Sequence, residues 1–274
     1  MRLAVKHRTH YRYDGPIFNA MQQLRLTPRN TAAQDIIDWK LEADGLCNAT
    51  QYIDAHGNPV HMVTLSDNLL EVEVTASGIV ETKNTSGILG KDRSGIPPRL
   101  YSRFTPLTKP NQAIRRLGNI LDQDDKVSAF HELMAAIRDK VTYTVGVTDS
   151  NVTAISALTA GEGVCQDHAH IFIAATRSAG IPVRYVSGYM LIEDEDPSEA
   201  HHAWVEAYLD KLGWVGFDIS NGICPTDHYI RLTTGLDSRS AAPIRGLRYG
   251  GASESLTVEV EVSEQAVGQQ QQQQ

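Results

Sequence analysis

The sequence predicts an α+β protein in which an all-β region precedes a core of helices and antiparallel strands. Three observations carry that prediction. Residues 1–86 alternate apolar with polar side chains and place turn residues between the runs. The character changes near Gly87, after which apolar residues recur at helical spacing. Strand-like segments return from Val183, so that a helix feeds an antiparallel sheet.

Taken in order, Leu3, Val5, His7, Thr9, Tyr11 and Tyr13 alternate with Lys6, Arg8 and Arg12, and Asp14-Gly15-Pro16 reads as a turn. Extended runs follow at 23–27, 36–41, 60–65 and 69–82, with Gly57-Asn58 before Pro59 as a turn signal. Several short strands joined by turns predict a β-sandwich over residues 1–86. Residues 87–109 hold a stretch rich in Gly, Pro and charge and read as a linker. Residues 110–263 then form the second domain. Helices are expected at 111–121 and at 126–140, the latter on Val127, Phe130, Leu133, Met134 and Ile137. Asp149-Ser150-Asn151 offers caps for a short helix through Ile155 and Leu158. The helix that begins near Cys165 ends at Gly180-Ile181-Pro182. Strands are expected at 183–192, 202–209 and 214–218. Residues 264–274 are a glutamine-rich tail expected to be disordered.

The 274 residues suffice for two ordinary domains, and 25 basic against 33 acidic residues give a net charge of -8. That balance argues against nucleic acid as a partner. Cys47, Cys165 and Cys224 are too few and too scattered for a disulfide framework. The first eight residues carry positive charge with no apolar run behind them, and no stretch is long enough to cross a bilayer, so the expectation is a cytoplasmic protein without a membrane partner.

The chemistry is concentrated in Gly161-Glu162-Gly163-Val164-Cys165-Gln166-Asp167-His168. A cysteine here follows a glycine-flanked turn and opens a buried helix, where unpaired N–H groups and the helix dipole favour the reactive thiolate. Two later segments supply a base and an acid: His201-His202-Ala203-Trp204-Val205-Glu206 and Gly213-Trp214-Val215-Gly216-Phe217-Asp218. The tight connection between them makes the strands antiparallel. If Tyr208 opposes Leu212, His202 faces Asp218; if Tyr208 opposes Trp214, the two are diagonal neighbours on one face. Cys165 would then attack a carbonyl carbon, His202 would move the proton, and Asp218 would hold the imidazole. The Cys165 N–H is a natural oxyanion donor; Gln166 and Tyr143 are candidates for the second, and Tyr189, Trp204 and Trp214 for the cleft lining.

These residues reach a known family. The segments Gly163–His170, Arg184–Tyr189, His202–Glu206 and Gly213–Asp218 resemble the bacterial transglutaminase-like cysteine proteases. Tyr11-Arg12-Tyr13, Leu24-Arg25-Leu26-Thr27-Pro28-Arg29 and Gly57-Asn58 are similar to that family's N-terminal β domain. The resemblance implies a papain-like core, with a nucleophile helix packed on an antiparallel sheet and Cys165, His202 and Asp218 as its triad. It implies a peptide or protein substrate and no cofactor. In relatives Pro or Thr commonly follows the aspartate, whereas Ile219-Ser220-Asn221 follows here.

Rival readings attach to the same residues. Resolution of the thioester by an amine instead of water would make the protein a protein-glutamine transglutaminase. Cys165, His168, His202 and Asp218 are also legal zinc ligands, although no compact ligand spacing accompanies them. A non-catalytic binding module on the same scaffold is the third reading. His168 and His170 are expected to pack or hydrogen-bond within the helix, His201 to serve structure on the opposite strand face, and Asp167 to complement the helix N-terminus. Glu193-Asp194-Glu195-Asp196 reads as a solvated loop without a calcium-loop pattern.

Overall fold

The computed structural model describes residues 1–92, 94–146, 149, 151–192, 201–250 and 253–265; the acidic run 193–196 and the glutamine tail lie outside them. The front region contributes β1 (Arg2–Leu24), β2 (Gln34–Ala43), β3 (Thr50–Ile53), β4 (Pro59–Thr82) and β5 (Ile88–Gly90). The middle contributes α1 (Gln112–Gly118), α2 (Lys126–Arg138), β6 (Thr142–Tyr143), α3 (Ala154–Ala160), β7 (Glu162–Gly163) and α4 (Cys165–Ser178). Strands β8 (Val183–Met190), β9 (His201–Leu209), β10 (Gly213–Phe217), β11 (Tyr229–Gly235), β12 (Ile244–Gly250) and β13 (Glu254–Glu264) complete the described chain.

Alternation alone does not keep β1 in phase. Leu3, Val5, His7 and Thr9 are buried at odd positions, whereas Ala20, Gln22 and Leu24 are buried at even ones. The switch falls where the pairing of β1 with β4 shifts register, between Arg12 and Ile17 and again between Ile17 and Asn19. Asp14-Gly15-Pro16 therefore does not end the strand as a turn. It is the bend at which β1 exchanges one partner, β13, for another, β12. Strand β4 bends at the matching place, with Asn68 at φ 56, a left-handed conformation that asparagine tolerates. The two halves of the bent β1–β4 pair, flanked by β2 and β13 on one half and by β3 and β12 on the other, bury a common core. That core also takes in Tyr189, Ile230 and Leu232 of the second sheet.

The division expected at residues 87 and 263 is not followed by the pairing. Strands β12 and β13 return to the front sheet, and β5, inside the stretch 87–109, adds to the edge of the second. The physical reason is edge satisfaction: β1 presents unpaired backbone groups that only a distant segment can cover.

The second sheet has the order β11-β8-β9-β10-β5, with antiparallel neighbours throughout. One face, through Tyr185, Ala203, Val205, Ala207, Val215 and Phe217, shares a core with α2, α3 and α4. Helix α4 is buried from Asp167 through Arg177 on all sides, as a central helix must be. Arg177 fastens it: Nε donates to Tyr101 O at 2.8 Å and Nη2 to Val183 O and Leu236 O at 2.9 and 2.8 Å. Asn111 and Asp125 cap α1 and α2, accepting from the Ile114 and Ser128 N–H groups, and α3 is capped by Thr153, whose Oγ1 accepts from the Ser156 N–H at 3.1 Å, not by the expected run at 149–151. Among the described residues no helix is long and apolar enough to cross a membrane.

Candidate active site

The cysteine is placed by the turn that precedes it. Gly161, at φ 77, ends α3, and β7 pairs with β6 so that Tyr143 aligns with Gly163. The Val164 N–H donates to Asp167 Oδ2 at 2.9 Å, which stitches the first turn of α4 to the residue before it. A side chain at Gly163 would run into Asp167 at 2.8 Å, so the glycine keeps this cap closed. Asp167 thus complements the helix N-terminus, and Cys165 becomes the first helical residue, half-buried and unbridged.

Strand register places the other two. Trp214 pairs with Tyr208 and Phe217 with Val205, the second of the two alignments expected, which makes His202 and Asp218 diagonal neighbours on one face. His202 Nε2 lies 2.8 Å from Asp218 Oδ2, and both side chains are buried. With Nε2 committed to the carboxylate, Nδ1 is the nitrogen left for the hydrogen bond that His202 makes with Cys165. Burial opposes the imidazolium, but the Asp218 hydrogen bond and the Cys165 contact more than offset it and push His202 up to about 10. Burial likewise raises the Asp218 carboxyl, while His202, Tyr229 and Asn221 hold it below its ordinary range.

Two of those partners were not anticipated. Asn221 Nδ2 and Tyr229 Oη each donate to Asp218 Oδ2, both at 2.7 Å. An asparagine three residues past an aspartate at a strand end is a local turn signal that could have been used. Tyr229 carries none, because β11 meets the site across two intervening strands of a curled sheet. Trp204 stacks beside the imidazole with centroids 6.4 Å apart and rings 24° from parallel, and Tyr229 meets it edge-on. The seat for Trp204 is Gly188, where a methyl group would come within 2.5 Å of the indole.

The remaining candidates divide. Tyr143 is half exposed beside His168, 6.1 Å between rings, and both line an open cavity of about 460 Å³ with Arg138 and Ser220. Gln166 Nε2 reaches Asp149 O at 3.5 Å. Tyr189 and Trp214 are not brought to the cysteine. Tyr189 is buried between the sheets, with its hydroxyl 2.8 Å from His7 Nδ1, on the face opposite His202. Trp214 lies four residues along the strand from Asp218, roughly 13 Å away, under the Arg184 guanidinium.

Both nitrogens of His168 are engaged, with Ser220 Oγ and Val141 O at 3.0 Å each, which withdraws it from the ligand set considered above. His170 is buried and its Nε2 accepts from the Ser238 N–H at 3.2 Å. His201 turns from the site to Ser187 Oγ at 3.0 Å.

Residues 115–219 match the transglutaminase-like superfamily, and residues 3–81 match the bacterial transglutaminase-like N-terminal region. An uncharacterized protein of Mycobacterium leprae is 30% identical over 278 residues, spanning 96% of this chain and 98% of that protein. A protein-glutamine gamma-glutamyltransferase of Pseudomonas aeruginosa is 31% identical over 108 residues, which is 32% of this chain and 15% of that one. The crystal structure of a candidate cysteine protease from Cytophaga hutchinsonii superposes with a TM-score of 0.73 at 20% identity, covering 96% of this chain and 90% of that one.

Proposed function

Starting from the fact that this chain belongs to the transglutaminase-like superfamily, we propose that it is a thiol-dependent acyl-transfer enzyme that cleaves peptide, isopeptide or amide bonds through a thioester on Cys165. The observation that carries the reading is the contact chain of Cys165 to His202 to Asp218, with the thiol on the first residue of a helix.

The thiolate attacks the carbonyl carbon of the substrate, and the oxyanion develops against the unpaired N–H groups at the start of α4. The imidazolium of His202 gives its proton to the departing amine as the tetrahedral intermediate collapses to the thioester. Neutral His202 then takes a proton from water, whose oxygen attacks the thioester, releasing the acid and restoring the thiolate–imidazolium pair. Asp218 keeps Nδ1 directed at the sulfur throughout. Attack by a primary amine instead of water gives transamidation on the same groups, and we favour water as the acceptor. The reading places the enzyme in the cytoplasm, where a thiol nucleophile stays reduced.

The test uses p-nitrophenyl acetate as a generic acyl donor. Wild-type protein releases a burst of p-nitrophenol equal to the enzyme concentration, and Cys165→Ser releases none. Addition of a labelled primary amine then leaves most of the acyl group as free acid; predominant amide formation reverses the choice of acceptor. Absence of a burst in the wild type refutes the thioester.

A further inference from the structure

The sheet face that carries His202 and Trp204 continues along β9 to Glu206, and there it holds a second polar cluster that acyl transfer does not use. Glu206 sits directly across from Arg184 on β8. Arg184 Nε donates to Glu206 Oε2 at 2.6 Å, its Nη1 donates to Asp92 Oδ2 at 2.7 Å, and its guanidinium lies 4.0 Å from the centroid of Trp214. Arg231, on β11, shares the same carboxylate. Its Nε forms an ion pair with Glu206 Oε1 at 3.0 Å, although the two buried atoms are not aligned as a hydrogen bond. Burial lowers the Arg231 pKa below the ordinary arginine range, and the nearby Glu206 carboxylate opposes that shift.

Arg231 and Arg184 form one wall of a cavity of about 470 Å³ at the seam between the front sheet and the second sheet. Arg29 and Lys91 also line it. The acids that share the lining are already spoken for: Asp92 by Arg184, and Asp35 by Lys83 at 2.6 Å. Arg29 gives one N–H to Gly57 O at 2.6 Å, which anchors the side chain at the rim. The cavity thus presents more fixed positive than negative charge in a size range ordinary for small-molecule sites.

We propose that this cavity is a binding site for a small anion, whose carboxylate or phosphate group accepts from Arg231 with Arg29 and Lys91 closing the charge. Guanidinium groups suit either oxyanion, because their N–H groups match two oxygens at once. The site is separate from Cys165 and does not depend on the acyl-transfer reading.

The test titrates the full chain with inorganic phosphate and, separately, with succinate, at constant ionic strength in chloride, by isothermal calorimetry. Saturable binding of at least one anion is expected. The Kd should rise about tenfold or more in Arg231→Gln and severalfold in Lys91→Glu, with Cys165→Ser unchanged. The tighter anion identifies the group that the site is built for. Lys91 is a surface residue outside the buried ion pairs, so its variant keeps the test valid if Arg231→Gln fails to fold by circular dichroism. Binding that survives both substitutions, or no saturation by either anion up to about 10 mM, overturns the proposal.

Discussion

At the scale of single residues, the account rests on an imidazole held between a thiol and a carboxylate. The two pKa directions set the sign of the pH dependence. His202, raised from 6.5 to about 10, contributes stability that is fully present below 6.5 and is lost as pH rises through 10. Asp218, depressed below 3.8, contributes stability present above that value and lost as pH falls through its lowered pKa. The Cys165–His202–Asp218 pairing should therefore persist across the neutral range and weaken at both extremes. Asp218→Asn should lower the acylation rate by about 10⁴-fold, the scale seen when a triad carboxylate loses its charge, with Cys165→Ser as the zero point. Tyr229→Phe removes one of three donors to Asp218 Oδ2 and should slow acylation about tenfold, since a hydrogen bond to a charged group is worth roughly 1.5–3 kcal/mol. An unchanged rate in Tyr229→Phe would remove that tyrosine from the site. Cys165, His202 and Asp218 were legible because a helix start and a strand parity are local patterns. Tyr229 was not, because its contact depends on how far the sheet curls.

At the scale of elements, the site is seated by glycines and by a buried histidine at the junction of the sheets. Gly188→Ala would drive a methyl group into the Ile230 carbonyl and the Trp204 ring, at a cost of about 1–3 kcal/mol. Thermal melting should show this loss, and acylation should slow as Trp204 leaves His202; a wild-type melt would contradict the packing described. His7 lies between the sheets, 2.8 Å from Tyr189 Oη and 3.0 Å from Thr9 Oγ1. Burial, with His201 nearby, pushes it down from 6.5 to about 3, so the unfolded chain takes up this proton first as pH falls. Wild-type stability should drop by about 2 kcal/mol between pH 6.5 and 5 on this account, and His7→Gln should lose that part of the slope. Equal slopes in the two proteins would show that His7 is not buried neutral. The sequence placed the strands here but not their ends. Asp14-Gly15-Pro16 has turn chemistry, yet β1 runs on through it because partners on both sides hold the backbone extended. Likewise Thr153, and not the Asp149–Asn151 run, caps α3, since a cap is chosen by where the helix packs as well as by residue type.

At the scale of the whole molecule, the chain closes on itself. Its last described strands, β12 and β13, cover the β1 edge opposite β4, and Val260 fills the front core. Deletion of residues 254–274 should bare that edge from Leu3 to Tyr13 and produce species larger than the full chain on size exclusion. A deletion variant with the elution volume and melting temperature of the full chain would contradict this closure. No local pattern in 244–264 announced the return, because alternating apolar residues declare a strand but not its partner. The same long-range assembly creates the Arg231 cavity from six separate stretches of chain, which is why the proposed anion site carries no local sequence signal.

The most direct measurement is the rate of iodoacetamide alkylation at Cys165 from pH 4 to 9, followed by peptide mass spectrometry in wild type and His202→Ala. The account predicts rapid labelling at pH 5 to 6 in the wild type and its loss in the variant, with Cys47 and Cys224 slow in both. Labelling that rises only toward the ordinary thiol range near 8.5, and that His202→Ala leaves unchanged, would contradict a thiolate–imidazolium pair.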